Sequence, residues 1–180
     1  MERFAPKPPL IPKRQGGEHK RPSDLTDRLT STRDLFVISH MSIPQVTAAD
    51  WRLEVTGLVD EPHSLTFDEL RRLPKHTLES VHKCSGSPRQ PTIPTRQVAN
   101  VEWGGVDLRA LLNRLGVRRA ATHVWAYGLD YGSFIDVEQA HYLKDIPRSR
   151  VDAGDVLIAY ELNDEPLSAK SFSRVLLPMP

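Results

Sequence analysis

Apolar and polar residues alternate from Trp51, where Trp51, Leu53 and Val55 interleave with Arg52, Glu54 and Thr56 before Gly57. Period-two alternation of this kind predicts a half-buried strand, since successive side chains of an extended chain point to opposite faces. Thr66 and Glu69 have the spacing of a capping box, Leu65 and Leu70 flank it at staple positions, and Pro74 stops the run, which predicts a helix over 67–73. Alternation returns in the stretch TLESVHK at 77–83 and brings Cys84 to the end of a strand, where Ser85-Gly86-Ser87-Pro88 opens a loop. With Pro88, Pro91 and Pro94 in it, that loop is expected to run to about Asn100, a length that marks it as functional or mobile.

Beyond the loop, Leu108, Leu111, Leu112 and Leu115 recur at helical spacing before Gly116 and predict an amphipathic helix over 107–115 whose leucine stripe is core. Three more apolar stretches, 121–127, 155–162 and 174–178, are expected to be strands, with turns and a short helical piece between them. Strands and helices mix without a βαβ rhythm, so the fold class is α+β. Residues 1–33 carry eight Lys or Arg, four Asp or Glu and five prolines with almost no apolar period. They are expected to form a basic, flexible tail, leaving 34–180 as the domain.

A 180-residue chain that is 39% hydrophobic and 26% charged can bury one core. Its formal charge of +1 provides no field to draw nucleic acid, and no run is long and apolar enough for a membrane span or a secretory signal, so neither nucleic acid nor membrane is expected as a partner. The compartment is left undetermined, with the cytoplasm the default. No repeat and no zinc-like spacing of cysteine and histidine is present, and His63, His76, His123 and His141 receive no role.

The single cysteine, Cys84, excludes an internal disulfide and lies in His82-Lys83-Cys84-Ser85-Gly86-Ser87-Pro88-Arg89, where cations on both sides favour thiolate. A lone cysteine is also commonly an inert buried hydrophobe. A phosphatase loop needs five residues between cysteine and arginine, and four intervene here. A thiol protease needs a positioned histidine base, for which nothing in the spacing speaks. A thiolate can instead ligate a soft or high-valent metal, with Arg89 facing an anionic ligand. A cofactor-free thiol redox or anion-binding module is the competing reading.

The order of several motifs resembles the sulfite oxidase family of molybdopterin oxidoreductases, from about Asp34 to Pro178. Leu35-Phe36-Val37-Ile38-Ser39-His40 with Ile43-Pro44 is similar to the family's pterin-contacting segment, Ile38 and Ser39 standing where Arg and Asn are usual. Lys83-Cys84-Ser85-Gly86 resembles the strand end that bears the molybdenum-ligating cysteine, and Arg89 falls at the second arginine of an Asn-Arg-Arg pattern from which Ser87 and Pro88 depart. Trp103-Gly104-Gly105-Val106-Asp107-Leu108 resembles a Trp-x-Gly-Val-x-Leu motif, and Gly128-Leu129-Asp130 a cofactor-binding aspartate. Leu157-Ile158-Ala159-Tyr160-Glu161-Leu162-Asn163 with Glu165-Pro166-Leu167 is the most specific match, Asp164 replacing a glycine.

The resemblance implies the mixed-sheet molybdopterin-binding fold of that family, incomplete at the C-terminus, and a molybdenum-molybdopterin cofactor with no haem segment. Cys84 is implied as metal ligand, Arg89 as a pocket cation, and Phe36, Val37, Ile38, Ser39, His40 and Asp130 as cofactor contacts. The implied partners are a small oxyanion such as sulfite and an electron acceptor, and the implied reaction is oxygen-atom transfer. Ile38 removes a charged donor, which turns the substrate question toward other oxyanions or sulfoxides. Ala169-Lys170-Ser171-Phe172-Ser173 offers no counterpart to the family's cofactor-binding histidine, and the chain ends at Pro180 before further contacts and the family's dimerisation domain. A catalytically inactive member with an uncovered, self-associating sheet edge is therefore the alternative expectation.

Overall fold

The computed structural model describes residues 10–11, 15–16, 21–39, 41, 43–84, 87–88, 91–92, 94 and 96–167. In chain order the strands are β1 (Leu10–Ile11), β2 (Gln15–Gly16), β3 (Val37–Ile38), β4 (Ile43–Pro44), β5 (Arg52–Val55), β6 (His63–Thr66), β7 (His76–Lys83), β8 (Val98–Asp107), β9 (His123–Tyr127), β10 (Gly132–Phe134), β11 (Val137–Gln139), β12 (Leu143–Pro147), β13 (Leu157–Leu162) and β14 (Glu165–Pro166). Three short α-helices, α1 (Phe67–Arg71), α2 (Leu108–Arg114) and α3 (Arg148–Asp152), and two 3-10 turns, Pro22–Asp24 and Thr32–Asp34, complete the described residues' elements. The α+β class follows. The centre is a four-stranded sheet in the order β14-β13-β8-β7, beside the two-stranded ribbons β1-β4, β2-β3, β5-β6, β9-β12 and β10-β11. Among the described residues every ladder is antiparallel, so the parallel pairs of a mixed sheet are not seen there.

The helices form where their caps specify. Thr66 accepts a bond from the Glu69 backbone while the Glu69 carboxylate receives the Thr66 backbone N–H at 2.8 Å, closing the capping box of α1. Asp107 caps α2 by accepting the Arg109 N–H at 2.8 Å. The stripe Leu108, Leu111, Leu112 and Leu115 packs with Leu70, Val151, Val156 and Tyr160 in one cluster, on the helix side of the sheet.

The other face carries a second cluster of Phe36, Ala99, Val101, Trp103, Leu157 and Leu167, with Leu78 and Cys84 packed against it. In β13, Leu157 and Ala159 belong to this second cluster and Ile158 and Tyr160 to the first. A β-bulge between Ala159 and Glu161 then shifts the register by one, placing Glu161 opposite Gly104 and returning Leu162 to the second cluster. Glu161 ion-pairs with Lys75, which also reaches Asp164 at 3.2 Å.

Where β13 stops, the chain preceding the domain takes over the free edge of β8. Thr30 N–H donates to Asn100 O at 2.8 Å and Asn100 N–H to Thr30 Oγ1 at 3.1 Å, while Asn163 Nδ2 donates to Thr30 O at 2.8 Å. Arg28 pairs with Glu79 on β7. Part of the basic arm thus lies on the sheet.

Several sequence expectations move. The loop after Cys84 does not reach Asn100, because β8 begins at Val98, opposite Lys83. Ala99, Val101 and Trp103 alternate with Asn100 and Glu102 as in a half-buried strand, but the prolines before them read as loop up to Asn100, and Gly104-Gly105 lies inside the strand. β6, which closes a hairpin with β5, and β12, whose Lys144, Asp145 and Pro147 are atypical of strands, carried no clear signal. The strand expected at 174–178 lies outside the described residues. No helix among them is long and apolar enough to cross a membrane.

Two hairpins turn through a pair of left-handed residues. Asn163 and Asp164, at φ 52° and 60°, are types that tolerate this region, which accounts for an aspartate where glycine is usual. Ile135, at φ 50° and 76% exposed, is a β-branched residue in that region with little packing to hold it there. Ile135→Asn is therefore expected to raise the stability by about 1 kcal/mol, read as a higher urea midpoint at an unchanged slope; an equal or lower midpoint would contradict the strain.

Candidate active site

Alternation along β7 sets one row of side chains against the second cluster. Leu78 and Cys84 pack on it, the Trp103 indole donates to Ser80 Oγ at 3.2 Å, and the His82 ring meets the Trp103 ring edge-on at 6.0 Å. The row 78, 80, 82, 84 thus runs over Trp103, Val101 and Ala99 and ends at the thiol. Lys83 falls on the opposite side of the strand and is exposed, whereas His82 is on the thiol's side.

Cys84 is half-buried. Its N–H donates to Gln97 O at 3.1 Å, and Ser87 N–H donates back to Cys84 O at 3.1 Å. Ser87 is buried, and its hydroxyl accepts the Gln97 N–H at 2.8 Å. The loop is therefore closed at its base by Cys84, Ser87 and Gln97, which fixes the backbone that carries the thiol. Ser87 departs from the family motif, and nothing in the sequence pattern marks this bracing role.

Over the row lies the segment around β3. Phe36 is buried in the second cluster, Leu35 and Ile38 pack on it, and the Phe36 ring stacks on His82 with centroids 5.0 Å apart and planes 17° from parallel. The structure thus brings together Phe36, Ile38 and Cys84, which stand 48 positions apart in the chain from Phe36 to Cys84. Ser39 is buried, and Val37 is turned outward, 44% exposed. His40 and Arg89 lie outside the described residues.

Asp130 sits elsewhere, between β9 and β10, beside Leu129, which packs on the first cluster. Gly128 N–H donates to Tyr142 O at 2.7 Å and Tyr142 N–H to Asp130 O at 2.9 Å, holding the turn. The Asp130 side chain is buried against Gly128, where a Cβ would stand 2.3 Å from its Oδ1. Only glycine leaves room for that carboxylate.

Among the described residues no three His, Cys, Asp or Glu side chains gather as a metal site. The single thiolate of Cys84 is a donor that fits a metal whose other ligands would come from a bound organic group such as a pterin dithiolene. The apolar and aromatic floor beside the thiol and the fixed strand end suit a bulky, ring-containing group.

Residues 40–171 match the family model described as "Oxidoreductase molybdopterin binding domain". The chain is 30% identical to the mitochondrial sulfite oxidase of Drosophila melanogaster over 158 residues, covering 80% of this chain and 27% of that protein. It is 32% identical to the sulfite oxidase of Gallus gallus, covering 79% and 34%, and 33% identical to nitrate reductase [NADH] 1 of Nicotiana tabacum, covering 74% and 16%. The sulfane dehydrogenase SoxCD of Paracoccus pantotrophus shares the fold at a TM-score of 0.65 and 24% identity, over 81% of this chain and 38% of that one. The chain spans about a third or less of the curated relatives it matches. It belongs to the oxidoreductase molybdopterin-binding domain family, the group to which sulfite oxidase lends its name in the motifs read above.

Proposed function

We propose that this chain holds the molybdenum-molybdopterin cofactor of an oxidoreductase that moves an oxygen atom to or from a small oxyanion or sulfoxide, with sulfite the first substrate to try and a separate electron acceptor. The observation that carries this reading is the meeting of Cys84, at a braced strand end, with Phe36 and Ile38 over one floor. Cys84 is the metal ligand, Arg89 a cation facing the anion, and residues 36–40 and Asp130 the contacts to the pterin part. The bound molybdenum centre supplies the two-electron oxygen-transfer chemistry.

The chain's own residues hold and orient. Cys84 presents a thiolate from a backbone fixed by Gln97 and Ser87, so ligation costs little further ordering. Trp103 and Val101 are buried in the cluster on which Cys84 packs. Ile38, where the family has arginine, removes a charge-assisted contact of about 1.5–3 kcal/mol and favours a less charged substrate than sulfite dianion.

The full chain made in cofactor-producing cells should carry molybdenum and pterin near stoichiometry, and Cys84→Ala should lose most of the metal, by elemental analysis and pterin fluorescence. Equal metal in both proteins would remove Cys84 as the ligand.

A further inference from the structure

We propose that His82 is a positioning residue, whose ring clasps the β3 segment onto the strand that carries Cys84 and so sets the spacing between the two. The inference rests on the reading of Cys84 as the metal ligand. β3 makes its ladder with β2, in a ribbon separate from the four-stranded sheet that contains β7. The described backbone pairing therefore does not tie β3 to β7, and side chains must carry that link. Phe36 supplies it, buried in the second cluster with its ring stacked on His82.

The geometry favours a clasp over incidental packing. His82 lies two residues before Cys84 on the same side of the chain, so a shift of its ring is transmitted to the thiol by the shortest covalent route. It also meets the edge of Trp103, which is itself anchored to Ser80, so the imidazole lies between a fixed indole and Phe36. A planar ring suits this gap, since near-parallel stacking on one side and an edge contact on the other both need a flat partner. Phe36 and Ile38 are proposed cofactor contacts, whereas His82 acts through Phe36 and through the strand.

The test compares the full, cofactor-loaded chain with His82→Leu, which keeps the gap filled with apolar atoms, His82→Phe, which keeps a ring, and Cys84→Ala. The readouts are molybdenum retained during dialysis, the visible thiolate-to-metal absorption band, and Tm. His82→Leu should lose molybdenum roughly two- to ten-fold faster than the parent, the factor an aromatic pair supplies, with a weakened or shifted band. His82→Phe should restore both. Parent-like retention in His82→Leu, or equal leakage from the Leu and Phe variants, overturns the clasp, because a merely structural role would follow Tm and not the ring. If Cys84→Ala loses its metal while His82→Leu keeps it, only the clasp fails; if Cys84→Ala keeps its metal, the ligand reading fails and the clasp with it.

Discussion

Trp103→Ala is expected to lower the unfolding free energy by about 3–5 kcal/mol, the range for truncating a buried tryptophan. Trp103 is 3% exposed and sits at the centre of the second cluster, opposite Leu78 on one neighbouring strand and Leu162 on the other. Its removal empties the space beneath Phe36 and His82, and it leaves Ser80 without the indole N–H that donates to it. Against a typical domain stability of about 5–15 kcal/mol, this is a large fraction. Trp103→Phe keeps the ring and forfeits one hydrogen bond, so it should cost only about 1 kcal/mol beyond the smaller ring volume. Urea titration of the three proteins checks the order; a Trp103→Ala loss below about 1 kcal/mol would mean that the cluster collapses freely or is not core.

Gly105→Ala should cost about 3 kcal/mol, the upper end for forcing one methyl into a packed site. A Cβ at Gly105 would stand 2.3 Å from Ile158 O and 2.7 Å from Ala159 Cα. Both are backbone atoms of β13, so no rotamer can yield, and the strand itself must withdraw from β8. The requirement is one of space, since Gly105 is not among the glycines with a positive φ. Gly57, at φ 91° with nothing within 4 Å of its would-be Cβ, is the opposite case, where conformation alone selects glycine. Amide exchange along 157–162 should rise in Gly105→Ala, and unchanged protection there with an unchanged unfolding midpoint would contradict the close approach.

The elements legible in the sequence were those whose local pattern and tertiary role coincide. Thr66 and Glu69 signal α1 because both halves of the capping box are encoded within four residues. The leucine stripe signals α2 because every leucine in it faces the same cluster. The start of β8 was hidden because the run of prolines before it reads as loop up to Asn100, whose side chain donates to Arg28 O and Glu79. Gly104-Gly105 was hidden because the demand for glycine comes from β13, some fifty residues later.

The candidate site divides along the same line. Cys84 was legible as the only thiol at the end of an alternating run, and Phe36 and Ile38 through the motif that contains them. Their meeting across one cluster is a tertiary fact that no spacing encodes. His82 was legible only as a flanking cation, because its stacking partner lies on another ribbon. Ser87 looked like a departure from the family pattern, and its hydroxyl proves to brace the loop through Gln97.

The bulge in β13 makes that strand two half-strands of opposite parity. Up to Tyr160 the even positions belong with the helices, and from Leu162 onward an even position belongs with Trp103. Removing Tyr160 would restore a single parity with Glu161 still opposite Gly104, but it would take from the helix-side cluster the buried tyrosine that the bulge places there. The length of this stretch is thus as fixed as its composition, and Ala159-Tyr160-Glu161-Leu162 has to be inherited as a block.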